Sequence, residues 1–210
     1  MTATKPYLIG IAGPSGAGKS TLAHRIAADL AAPILSLDCY YRELGRLPLA
    51  ERARLNFDEP GALDGELLTA QITDLAAGRA VEVPVYDFSR HTRAPETTPL
   101  APGNFIVVEG LFALYWEAIR ALVGTKVFVN AEDPVCFSRR MDRDVRERGR
   151  SPESVTGQYE HTVRPMAERY VLPTRAFADV VVSGTDLLDH SAALVLEHVA
   201  RARAARAVRR

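Results

Sequence analysis

A chain of 210 residues, 47% hydrophobic and 25% charged, reads as a globular protein long enough to bury a core without disulfide or metal staples. With a formal net charge of zero, nothing in the overall balance argues for nucleic acid or an anionic membrane, and neither is expected as partner. Cys39 and Cys136, its two cysteines, show no metal-ligand spacing and are expected as reduced thiols in a cytoplasmic protein. Met1 to Lys5 leads straight into a strand and reads as no signal peptide, and no apolar run approaches the ~18 residues of a membrane span.

In chain order, Tyr7 to Ala12 is an apolar strand that enters a glycine-rich turn, followed by an amphipathic helix from Thr21 to Leu30. Pro33 to Leu37 reads as a second strand, ending at Asp38. Arg42 to Pro60 is polar and reads as a loop with one helical turn. Asp64 to Ala77 is a helix, with Asp64 as N-cap and Gly78 past its end. Val81 to Tyr86 alternates around Pro84, as an edge strand or hairpin arm does. Arg90 to Gly103 reads as irregular.

Phe105 to Val108 is continuously apolar, as in a strand covered on both faces. A helix is predicted over Phe112 to Leu122 and a strand over Lys126 to Asn130. Asp133-Pro134 is expected as N-cap and first residue of a further helix, and Ser151-Pro152 repeats the signal. Pro165 should kink or divide the helix that Ser151-Pro152 opens. Ala178 to Val182 reads as a strand and Leu187 onward as a helix, whose basic end, His198 to Arg210, reads as a solvated tail. Strands alternating with helices imply an α/β fold with a parallel central sheet, formed by residues 1–210 as one domain.

Gly13-Pro-Ser15-Gly16-Ala17-Gly18-Lys19-Ser20 matches the phosphate-loop pattern at every required position. Glycines let the backbone turn its N–H groups onto phosphate oxygens, and a helix opening near Lys19 aims its positive end at the same oxygens. Lys19 supplies a mobile charge, and Ser20 a hydroxyl for Mg²⁺. Three of the 26 basic residues are lysines (Lys5, Lys19, Lys126). Two carboxylates at strand ends, Asp38 and Glu109, should converge on this loop, because ligands collect at the carboxyl ends of parallel strands. Asp38 could then accept the proton of an attacking hydroxyl, and Glu109 serve Mg²⁺ through water. Arg139, Arg140, Arg143, Arg146, Arg148 and Arg150 crowd one segment. Spacing alone fits equally a lid that neutralises phosphate and a surface helix with Asp142–Arg146 and Asp144–Arg148 pairs.

Over nearly its whole length the chain resembles the uridine/cytidine kinases, P-loop nucleoside kinases of the phosphoribulokinase/uridine kinase superfamily. The stretches that carry the resemblance are Gly13 to Ser20, Asp38-Cys-Tyr-Tyr-Arg42, Asn56-Phe-Asp-Glu-Pro60, Pro84-Val-Tyr-Asp-Phe88, His91-Thr-Arg93, Val108-Glu-Gly110, Arg143-Asp-Val-Arg-Glu-Arg-Gly-Arg150, Gln158-Tyr159 and Thr162-Val-Arg-Pro165. The resemblance implies a three-layer P-loop fold with a small β-hairpin over about 80–100 and a helical lid over about 140–165. It implies ATP (or GTP) and Mg²⁺ as cofactors, a pyrimidine nucleoside as partner, and a homotetramer.

It also implies roles. Asp38, Lys19 and Arg143 would be catalytic. Gly13, Ser15, Gly16, Ala17, Gly18, Lys19, Ser20, Thr21 and Asp186 would hold the nucleotide, with Ser20 and Glu109 on the metal. Asp58 would hold the ribose hydroxyls, helped by Arg140 and Gln158. Tyr86 and His91 would read the base, with Phe88 against its ring, and Tyr41 and Arg150 would complete the substrate site. The family usually has a Pro-Arg-Gly-Gly-like loop after the last strand, near the adenine. Ser183-Gly-Thr-Asp186 stands here instead, which leaves the choice between ATP and GTP open.

A relative acting on another hydroxyl, as phosphoribulokinases do, would want basic residues where Tyr86, Phe88 and His91 stand. A GTPase-type switch would show a guanine motif, but Thr125-Lys126-Val127 runs into Phe128. A regulatory nucleotide binder without catalysis would not need Lys19, Asp38 and Glu109 together.

Overall fold

The computed structural model describes residues 5–52 and 54–208. Five parallel strands, β1 (Tyr7–Ala12), β2 (Ile34–Ser36), β5 (Phe105–Glu109), β6 (Thr125–Asn130) and β7 (Val180–Ser183), form one sheet in the order β2-β5-β1-β6-β7. β1 lies central and all six of its residues are buried. Its period-2 pattern splits the core. Tyr7, Ile9 and Ile11 face helices α1 (Lys19–Leu30) and α8 (Leu188–Val208). Leu8 and Ala12 face α3 (Gly65–Ala76) and α4 (Glu117–Leu122). The result is helices on both faces of a parallel sheet, the three-layer P-loop arrangement. Among the described residues, no helix is long and apolar enough to cross a membrane.

Several elements differ from what the sequence suggests, each for a physical reason. The strand expected to end at Asp38 stops at Ser36, and Asp38 sits inside a 3₁₀ turn, Leu37–Tyr40, that carries it over the sheet's carboxyl edge. The helix expected from Phe112 begins only at Glu117. Phe112, Ala113 and Leu114 are all buried, and three consecutive residues cannot share one helix face. Arg90 to Gly103 is not irregular: β4 (Thr92–Leu100) pairs antiparallel with β3 (Val81–Asp87), with a register shift between Pro84 and Tyr86.

The helix α5 (Asp133–Arg148) takes Glu132 rather than Asp133 as its cap. The Asp133 carboxylate instead accepts the Tyr159 hydroxyl at 2.7 Å. Ser151 does cap α6 (Pro152–Gln158), accepting the Ser154 N–H at 3.2 Å. Around Pro165 the helix is divided into α and π segments rather than running on as one α-helix, and the proline lies in the middle piece. It comes after a π-helical turn, Tyr159–Val163, and enters the short α7 (Arg164–Met166) before a second π turn, Ala167–Val171. A π turn widens the helix, so the proline ring avoids the carbonyl it would otherwise strike. The basic end of α8 is not wholly solvated: Arg203 lies 4.7 Å over the ring of Phe105, and Arg206 5.2 Å over Tyr7.

Two anchors fix the hairpin above the sheet. Arg93 donates to the Tyr41 carbonyl at 2.8 Å and the Tyr40 carbonyl at 3.1 Å, and pairs with Asp64 at 3.4 Å. Asp64 also caps α3, accepting from the Leu67 N–H at 3.1 Å. Arg52, from the single helical turn α2 (Leu49–Arg52), donates to the Arg90 carbonyl at 2.9 Å.

Candidate active site

The phosphate loop bridges β1 and α1. Gly16 has φ of 80°, and a Cβ there would collide with the Cys136 carbonyl, so no other residue fits this turn. A Cβ on Gly184, in the loop after β7, would strike the Ala17 carbonyl, so a distant loop presses directly on the phosphate loop. Gly18 caps α1 in a left-handed conformation, which leaves the helix N–H groups facing the loop's cradle.

Lys19 is buried and donates from Nζ to the Pro14 carbonyl at 2.8 Å. Burial holds its pKa below the ordinary lysine value, opposed by the charges of Glu109 and Asp38. Ser20 donates to Glu109 Oε2 at 3.1 Å, and Ser36 to Glu109 Oε1 at 2.7 Å. A hydroxyl beside a carboxylate whose second oxygen is anchored is a hard-oxygen donor set suited to Mg²⁺, which keeps several waters and takes few protein ligands. Among the described residues, no hydrogen bond or ion pair engages the Asp38 carboxylate, which stands half-buried on the same cavity wall.

The cavity continues toward the hairpin. Asp58 is buried, accepts from Thr162 Oγ1 at 3.2 Å and lies 3.5 Å from Arg140 Nη1. Arg140 also donates to Ser15 Oγ at 3.1 Å and Gln158 Oε1 at 3.0 Å, so one guanidinium ties the phosphate loop to α6. Arg150 reaches the same Gln158 oxygen at 2.7 Å. At the far end stand Tyr41, Phe57, Tyr86, Phe88 and His91. His91, at φ 49°, stacks on Phe57 with centroids 5.2 Å apart and planes 21° apart. Tyr86 lies 5.1 Å from both Tyr41 and Phe88.

Among the described residues the Tyr86 hydroxyl is buried without a hydrogen-bond partner, and burial pushes its pKa up to about 12. Tyr86 lines the cavity, and an unpaired buried hydroxyl in such a residue is a candidate partner for a ligand's polar atom. Burial, then the charges of Arg150 and Arg148, hold His91 below its ordinary pKa, so it is neutral at pH 7.

Thus Ser15, Lys19, Ser20, Asp38, Tyr41, Asp58, Tyr86, Phe88, His91, Glu109, Arg140, Arg143, Arg150 and Gln158 all line one cavity. Gly18, Thr21 and Asp186 line a second cleft, on the α8 side of the phosphate loop, with Arg139 and Gly184. Gly13, Gly16 and Ala17 contribute backbone. Sequence reasoning gave no role to Phe57 or Ser36, and placed Arg148 only in a segment that fits either a lid or a surface helix; its guanidinium lies 4.6 Å over the Phe88 ring.

The Phosphoribulokinase / Uridine kinase family profile matches residues 8–189. The chain belongs to this family. It is 43% identical over 182 residues to a protein named uridine kinase from Lactobacillus helveticus, covering 85% of this chain and 86% of that one. It is 45% identical over 183 residues to a uridine kinase from Chloroflexus aggregans, covering 85% and 87%. The phosphoribulokinase from Rhodobacter spheroides shares the fold, at a TM-score of 0.63 and 16% identity over 85% of this chain and 70% of that one.

For a member of this family, Lys19→Ala should abolish most of the rise in melting temperature that ATP produces, because the buried ammonium faces the phosphate cradle. Differential scanning fluorimetry with and without ATP checks it. An undiminished rise would contradict the phosphate-loop assignment.

Proposed function

We propose that this protein transfers the γ-phosphoryl group of ATP to the 5′-hydroxyl of uridine and cytidine. The observation that carries the reading is the length of one cavity: Lys19 and an uncommitted Asp38 at one end, an aromatic cage with an orphaned Tyr86 hydroxyl at the other. A flat base fits the cage. Ribose between them would meet Asp58, held by Arg140 and Thr162.

In this reading Asp38 takes the proton of the 5′-hydroxyl as its oxygen attacks. Lys19 and Arg143 hold the phosphoryl oxygens while the bond to the leaving nucleotide breaks. Ser20 and Glu109 would hold Mg²⁺, which would supply charge neutralisation for the phosphate groups. The second cleft, with Thr21, Asp186 and Gly184, suits the nucleotide base, ATP or GTP. A cytoplasmic homotetramer agrees with the uridine-kinase resemblance and with two free cysteines.

Coupled ADP release should show turnover with uridine and cytidine, and at least about 100-fold lower kcat/KM with ribulose 5-phosphate and pantothenate. Preference for ribulose 5-phosphate would replace the nucleoside reading with a phosphoribulokinase-like one.

A further inference from the structure

Asp144 has no exposed surface and does not line the cavity, yet four cavity arginines meet on it. Arg143 Nη2 lies 2.9 Å from Oδ1, Arg150 Nη1 3.1 Å from Oδ2, Arg148 Nη1 3.4 Å from Oδ1, and Arg140 Nε 3.5 Å from Oδ2. Its main chain takes part as well. The Asp144 carbonyl accepts the N–H of Gly149, the left-handed cap of α5, and the N–H of Arg150 at 3.1 Å. One residue therefore holds Arg150 by backbone and side chain together. From these arginines contacts run outward to the phosphate loop through Ser15, to Gln158, and to the face of Phe88.

Burial alone would raise the Asp144 carboxyl, but the guanidiniums of Arg143, Arg140 and Arg148 outweigh it and hold the group below the usual carboxylate range. The group is therefore an anion at neutral pH. Without it, the clustered guanidiniums would repel one another and lose their common anchor.

We propose that Asp144 is a positioning residue for phosphoryl transfer: its buried charge aims the cavity arginines at substrate and transferring phosphate, while Lys19 and the phosphate-loop backbone supply most of the nucleotide binding. This rests on the kinase reading above. Asp144 touches no reacting atom and acts only through arginine side chains.

Asp144→Asn tests the idea, since it keeps the size and one acceptor oxygen but removes the charge. Turnover of uridine should fall about 10²- to 10³-fold, as when preorganised electrostatic contacts are lost. Uridine affinity should weaken by at least about tenfold, because Arg140 and Arg150 hold Gln158 and Asp58. The ATP-induced rise in melting temperature should shrink far less than turnover falls, because Lys19 and the loop backbone still hold the nucleotide, whereas a merely structural role would lower both together.

A double-mutant cycle with Arg148→Met gives a second readout. Losses in kcat/KM that act through the same arginines should be strongly non-additive. Additive losses, or D144N kinetics within about twofold of wild type, would overturn the inference. So would a D144N chain that does not fold, or that loses its ATP response together with its turnover, since Asp144 would then belong to the scaffold. A wild-type protein inactive on every pyrimidine nucleoside would sink the function reading along with this one. An active wild type with an unaltered D144N would sink this one alone.

Discussion

An Asp38→Asn variant should bind nucleoside about as well as wild type and turn it over on the order of 10² to 10⁴ times more slowly. Glu109 and Asp58 are already committed, to Ser20 and Ser36 and to Thr162 and Arg140. Asp38 shares the cavity wall with Lys19 and, among the described residues, its carboxylate is engaged by no hydrogen bond or ion pair. A carboxylate left free beside the phosphate cradle is the group able to take a proton from an incoming hydroxyl. Asparagine keeps the shape and can still accept a hydrogen bond, so binding survives while proton transfer is lost. Single-turnover kinetics isolates the chemical step. A variant keeping more than about half the wild-type rate, with chemistry limiting, would move the base elsewhere.

Substrate choice should show an effect of similar size. Uracil offers an acceptor at C4 and a donor at N3, and cytosine the reverse. A site of fixed polarity would leave a buried group unpaired against one of them, at a cost that can reach 10⁴-fold in kcat/KM. Here both candidate base-readers can switch. His91 is held neutral, so one ring nitrogen donates while the other accepts. The Tyr86 hydroxyl, kept protonated by burial and free of protein partners, can donate or accept.

Uridine and cytidine should therefore differ by less than about 100-fold in kcat/KM, and adenosine should fall at least about 10³-fold below both. Its second ring would meet Tyr41 and the two rings packed on it, Phe57 and Phe88, with centroids 5.6 and 6.4 Å from Tyr41. His91→Leu should depress both pyrimidines together. Unchanged kinetics in that variant would remove His91 from base reading, and pyrimidine discrimination above about 100-fold would exclude the polarity switch.

The parts of the fold that could be read from sequence are those where local chemistry and tertiary role coincide. Gly13 to Ser20 demands a strand before and a helix after, and both are present. Asp64 marks the start of α3 because a cap is a local hydrogen bond, worth about 1 kcal/mol. The strand β4 escaped because Thr92–Leu100 has two prolines and no apolar alternation; its pairing is set by β3. The π turns around Pro165 have no local signature, since the shifted ladder is set by what the helix packs against.

The candidate site divides in the same way. The phosphate-loop pattern singles out Lys19, and residue type next to a strand's carboxyl end singles out Asp38 and Glu109, although Asp38 stands in the turn just past its strand. Asp144 with Arg148 looks like an ordinary i,i+4 surface pair, because spacing cannot tell that α6 covers that side of α5. The distinction rests on burial: Asp142, two positions earlier, is exposed, while Asp144 is not. Phe57 sits within a family-like stretch, but only the folded chain brings it under His91.

The hairpin has a consequence for how the molecule keeps apart from its neighbours. A ribbon of two strands has two outer edges, and an edge left uncovered could template another chain. Pro95 and Pro99 lie in β4 and Pro84 in β3. A paired strand accommodates proline where its nitrogen faces away from the partner, so these prolines strip donors from the outer rims. The hairpin is thus poorly equipped to recruit a foreign strand. The same prolines that hide β4 from sequence reading protect the protein against edge-to-edge aggregation.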